Sequence, residues 1–144
     1  MAGFLIAVIS GALMSIQGVF NAGVTKQTGV WTTAAFVQLS AFIVCVAAWF
    51  FSGKETSFAE IFKIDNKYML LGGIIGAFIT FTVIKSVESL GAAKSAMFIV
   101  AAQLLTAYII ELFGLFGMEK AEFSFRKLIG FVITVAGILI FKWE

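Results

Sequence analysis

The chain has 144 residues, 61% of them hydrophobic and only 12% charged, so it cannot cover an apolar core with polar surface as a soluble domain with about 25% charged residues does. It has no His and a single Cys, Cys45, which excludes an intrachain disulfide, a Cys/His zinc site and an imidazole proton relay. The net charge of +2 is scattered between apolar runs and not gathered in a basic tract, so no nucleic-acid partner is expected and the charges are assigned to membrane topology.

One helical crossing of a bilayer takes roughly 20 mostly apolar residues. Five such runs use nearly the whole sequence, which is read as a single transmembrane domain over residues 1–144. The first span, residues 2–24, is free of charge up to Lys26. It lacks a basic leader and outruns a secretory h-region, so it is expected to be retained. The second is placed at 32–51. Residues 54–67 then form a polar connector in which Phe58, Ile61 and Phe62 are expected on one face of a short interfacial helix. The third span is placed at 68–87 and the fourth at 92–117, the latter interrupted only by Glu111. The fifth, 126–143, has a short apolar core, with Arg126, Lys127 and Lys142 able to snorkel and Trp143 to anchor at the interface. Backbone groups in lipid must be satisfied within their own segment, and no run alternates as a barrel strand does, so the expected fold is all-α. Small residues line one face of three spans: Gly11, Ser15, Gly18 and Ala22; Gly72, Gly76 and Thr80; Gly130, Thr134 and Gly137. Such faces suit close helix packing, although glycine is also simply frequent in membrane helices.

Five spans put the termini on opposite sides of the membrane. Lys54, Lys63, Lys67, Lys120, Arg126 and Lys127 then share the N-terminal side, and Lys26, Lys85, Lys94 and Lys142 share the other. Six against four specifies orientation weakly. Either the N-terminus faces the cytoplasm by a small margin, or the chain inserts both ways and pairs with an inverted copy.

An ionisable group at the centre of a membrane helix costs about 2.5–3.5 kcal/mol on insertion scales, so its presence calls for a partner or a purpose. Glu111 is the one such residue. Gln103, eight residues earlier and roughly 80° around the helix, is expected to line a neighbouring part of the same cavity. In a low-dielectric cavity a carboxylate resists an uncompensated charge, so it would hold either a proton or a cationic substrate, the minimum machinery of antiport. The alternative is that Glu111, about two turns before Gly117, is a solvated or Arg126-paired residue at the water boundary. In the first span Gln17 and Asn21 lie one turn apart on a strip extended by Ser10, and their amides can bind a substrate or bond across helices. The candidate substrate-binding residues are therefore Glu111, Gln103, Gln17 and Asn21, with Gln38 a weaker candidate. Trp31, Trp49 and Tyr68 fall near span ends as interfacial anchors, and Lys85 and Glu88 are placed to pair at i,i+3. No cofactor, catalytic residue or metal site is expected, and an intramembrane enzyme is the least favoured class.

The sequences Gln17-Gly18-Val19-Phe20-Asn21, Leu90-Gly91-Ala92-Ala93, Gln103-Leu104 and Ile110-Glu111-Leu112-Phe113-Gly114, with Arg126 four residues before Gly130, resemble the YdcZ-like family of small five-span bacterial inner-membrane proteins in the drug/metabolite transporter superfamily. The resemblance extends over essentially the full length. Where that family suggests Asp in the fourth span, this chain has Glu111. The resemblance implies an antiparallel homodimer of ten spans, an inverted-repeat transporter with its site between the halves. The expected function is then secondary transport: proton-coupled export of a small organic cation or polar metabolite across the bacterial inner membrane. A passive channel formed by the same dimer and a non-transporting assembly or regulatory subunit are the alternatives.

Overall fold

The computed structural model describes residues 1–53 and 56–142, so the expected anchor Trp143 and the connector charge Lys54 lie outside the described residues. Five α-helices follow one another: α1 (Ala2–Thr28), α2 (Val30–Phe51), α3 (Gly72–Leu90), α4 (Ala92–Phe113) and α5 (Phe125–Lys142). Short 3-10 turns cover Phe58–Lys63, Lys67–Leu71 and Leu115–Gly117. Among the described residues, four stretches are long and apolar enough to cross a membrane: Ala2–Thr28, Val30–Phe51, Lys67–Leu90 and Ala92–Phe113. The fifth helix has 18 residues, and its apolar stretch between Lys127 and Lys142 rises only about 21 Å against roughly 30 Å of hydrocarbon.

The pattern of burial fits lipid as the surrounding solvent. Among the described residues the enclosed side chains include Asn21, Thr25, Thr33 and Ser95 beside Ala22, Ala34, Ile84 and Ile138, while Phe36, Phe42 and Val44 lie more than half exposed. An aqueous fold reverses that distribution. Facing hydrocarbon, large apolar side chains outside and small or hydrogen-bonded polar ones inside are the stable arrangement.

Packing within the chain falls into two units, Met1–Ser89 and Leu90–Glu144. In the first, α1 and α2 form a hairpin. Gly18, in the small-residue stripe of α1, comes so close to α3 that a Cβ there would meet Val83 at 3.5 Å and Val87 at 3.6 Å. Gly11 and Gly72 of the predicted stripes have open space around them, so only part of each stripe is used within one chain. Gln38 of α2 donates to the Thr80 hydroxyl of α3 at 3.3 Å beside Gly76, and Thr80 in turn donates to the Gly76 carbonyl. Trp31 stacks on Phe81 at 4.7 Å, a second tie between the same two helices. Because Gln38 makes one neutral interhelical bond of the kind worth about 0.6 kcal/mol in membranes, Gln38→Leu is expected to lower the free energy of unfolding by less than about 1 kcal/mol and to leave transport intact. Thermal unfolding and flux of the purified variant check both outcomes.

Two of the links between successive helices are built alike. A single glycine, Gly29 (φ 90, ψ 155) or Gly91 (φ 80, ψ 164), joins helix to helix in a region of backbone space open essentially to glycine. Four residues on, the Thr33 and Ser95 amides each donate to that glycine's carbonyl at 3.1 Å. Either glycine replaced by Ala should therefore lower stability by about 1–3 kcal/mol although a Cβ meets nothing within 4 Å. A denaturant titration that found both substitutions neutral would refute this.

Several helix ends depart from the sequence expectation: α2 starts at Val30 and not 32, and α3 covers Gly72–Leu90 and not 68–87, the first residues of the expected span forming the 3-10 turn Lys67–Leu71. Helix α1 continues past residue 24 to Thr28, because Lys26 can turn its long stem toward water and only Gly29 stops the helix. Helix α4 stops at Phe113 and not at 117, because Gly114 closes it in the left-handed conformation. In the connector, Phe58–Lys63 is a 3-10 turn with three residues per turn, so Phe58 and Ile61 align while Phe62 points about 120° away. Phe58 packs edge-on against Trp49, whose indole N–H donates to the Thr56 carbonyl at 2.9 Å.

Candidate functional site

Shortening α4 places Glu111 in its last turn, at the start of the link to α5. That link folds back onto α4. The Ala121 amide donates to the Glu111 carbonyl at 2.8 Å and the Ser124 amide to the Tyr108 hydroxyl at 3.1 Å, both across one turn of α4. Held this way, α5 begins at Phe125 and presents Lys127 from its first turn. The Lys127 ammonium lies 3.0 Å from the Glu111 carboxylate and 5.4 Å from the centre of the Tyr108 ring, a favourable cation–π distance. The two charged side chains are 41% and 49% exposed, so the pair is reachable from outside the unit.

Behind the pair lies a cavity of about 400 Å³ between α4 and α5. Its α4 wall carries Leu104, Leu105 and Tyr108, and its α5 wall carries Leu128, Phe131 and Thr134. The Thr134 hydroxyl donates to the Gly130 carbonyl, so the deeper walls are effectively apolar. A mostly apolar cavity of this size with a few convergent polar groups is the usual form of a small-molecule site. The ion pair also meets the cost of a carboxylate in a membrane helix, since each charge has its counter-charge within contact distance.

The other candidates distribute unevenly. Gln103 is exposed and does not line the cavity beside Glu111. The expected partner Arg126 gives way to Lys127, which shares a face of α5 with Phe131 and Thr134, whereas Arg126 lies about 100° round the helix. Gln17 and Asn21 do share a surface: with Ser10, Leu13 and Phe20 they line an open groove of about 520 Å³ on α1. Within it Gln17 is exposed and Asn21 buried. One turn beyond Asn21, Thr25 is also buried, and its hydroxyl has no hydrogen-bond partner among the described residues. Neither Thr25 nor Lys127 is among the sequence-based site candidates: Thr25 is not named there, and Lys127 is read only as a snorkelling charge. A Thr one turn after two amides on one strip, and a Lys following Arg at a helix start, were the available signals. The expected Lys85 and Glu88 pair forms at 3.0 Å. Among the described residues no cluster of metal-ligating side chains is present.

Long apolar helices, polar groups turned inward and a charged pair at the mouth of a cavity fit an integral membrane protein with a small-molecule cavity. Residues 2–140 match the family described as "Putative inner membrane exporter, YdcZ", and the chain belongs to that family. It is accordingly an inner-membrane protein, and the family description makes it a membrane transporter in general. No curated protein and no solved structure matches it.

Proposed function

We propose that the chain is one half of a secondary exporter, that two copies pair in opposite orientations to make ten spans, and that the dimer exchanges protons for a small organic cation or polar metabolite. The observation that supports this most directly is the Glu111–Lys127 pair at the mouth of the cavity between α4 and α5. A carboxylate there has three available partners: a proton, Lys127 and a positively charged group on a substrate. Binding one excludes the others, which is the condition for exchange. Pairing of inverted copies is supported by the six-to-four division of basic residues and by the odd number of helices, which makes an antiparallel dimer an inverted repeat. It also gives α5 a role, since a helix with a short apolar stretch is better accommodated against other helices than alone in lipid. The amide groove of α1 supplies neutral donors and acceptors suited to the polar part of a substrate.

Purified protein in liposomes with an imposed pH gradient tests the proposal. Some members of a panel of small cations and amphoteric metabolites should collapse the gradient in a protein-dependent, saturable way. A steady ionic conductance without proton coupling would instead indicate a channel, and no solute response at all would reject transport by the homodimer.

A further inference from the structure

The α4/α5 cavity has a direction. Glu111 and Lys127 stand at the helix ends that meet at the Leu115–Gly117 side, whereas Leu104 on α4 and Thr134 on α5 lie seven residues, about 10 Å, deeper. The cavity is thus charged at one end and apolar, through Leu104, Leu105 and Phe131, for the rest of its length. Its charged end is neutral in sum, because the two opposite charges sit 3.0 Å apart.

We propose that the ligand of this cavity is a zwitterionic amphiphile, with an ammonium and an acidic group close together at one end and a medium-length apolar tail at the other. The inference rests on the reading of the cavity as the substrate site. A simple cation that displaced Lys127 from Glu111 would leave the lysine ammonium without its counter-charge, and a simple anion would do the same to the carboxylate. A zwitterion enters between them and replaces one ion pair with two, its ammonium against Glu111 and the Tyr108 ring, its acidic group against Lys127. The tail takes the walls formed by Leu104, Leu105 and Phe131, which offer no hydrogen-bonding group to satisfy a polar one.

Three probes of equal chain length separate the possibilities: 2-aminodecanoic acid, decylamine and decanoic acid, titrated calorimetrically at pH 7 into the full-length protein in lipid nanodiscs, with empty nanodiscs correcting for partition into lipid. The amino acid should bind at least about tenfold more tightly than either singly charged probe. E111Q and K127Q should each abolish that preference, and the exchanged pair E111K/K127E, which keeps both charges and gives the zwitterion only a reversed head, should retain it. The comparison of the three probes on the unsubstituted protein needs no variant to fold. Decylamine or decanoate binding as tightly as the amino acid would overturn the proposal, as would a preference that survives E111Q. The outcome is separable from that of transport. A zwitterion preference without flux upholds this ligand assignment while removing the exporter, and Glu111-dependent flux of decylamine without a zwitterion preference does the reverse.

Discussion

Glu111→Gln is expected to abolish solute-coupled proton movement. The amide keeps the size of the side chain and its ability to hydrogen-bond, but it neither takes up a proton nor balances a cationic group. Charged hydrogen bonds are worth about 1.5–3 kcal/mol, so substrate affinity should also fall by roughly 10- to 100-fold. Two companion variants give the prediction its direction. Glu111→Asp retains the charge on an arm one methylene shorter, so the 3.0 Å contact with Lys127 is stretched and coupling should persist at reduced affinity. Lys127→Gln leaves the carboxylate without its neighbour at the membrane edge. It should therefore lower stability more than Glu111→Asp does, which thermal unfolding in detergent would show. Coupled exchange at the original rate in Glu111→Gln liposomes, with the protein folded and dimeric, would remove Glu111 from the mechanism.

The contrast between what was and was not legible in the sequence has a physical pattern. Of the five crossings expected from the sequence, four coincide with helices long and apolar enough to span a bilayer, because bilayer thickness imposes a minimum length that few other structures share. Helix ends were less legible. Charge stopped the predicted first span at 24, but a lysine can stay helical while its ammonium reaches water, and the actual terminator is the backbone geometry of Gly29. Glycine is too frequent in these helices for its presence alone to mark an end. The site was legible as a residue and not as a contact. A carboxylate in an apolar run stands out on cost alone, which pointed to Glu111. Its partner depended on which face of α5 turns toward α4, and neighbouring cations on a helix start differ by about 100° in direction, enough to exchange Arg126 for Lys127. Gln103 failed to join the cavity by the same angular argument, since the α4 face of the cavity runs through Leu104, Tyr108 and Glu111. The link between Gln38 and Thr80 spans 42 positions, and no local pattern carries such a pairing.

Orientation offers the other large effect, because an antiparallel dimer needs both insertions of one sequence. Reporters that are active on opposite faces of the membrane, fused in turn to the C-terminus, should both give strong signals. The lysines then provide a way to force the outcome. Lys26→Gln with Lys94→Gln changes the six-to-four division to six against two, which strengthens insertion with the N-terminal side inward. Lys63→Gln, Lys67→Gln and Lys120→Gln together with Gln27→Lys change it to three against five, in favour of the opposite insertion. None of these residues lines the α4/α5 cavity. If the functional unit is antiparallel, each biased chain produced alone lacks its inverted partner and should lose most of its exchange activity, while the two produced together should recover it. A parallel or monomeric transporter behaves differently: one biased chain alone would remain active, and mixing would add nothing. Recovery on co-production is therefore the decisive signal, since poor folding of either chain would not be repaired by the other unless the two associate as complementary halves.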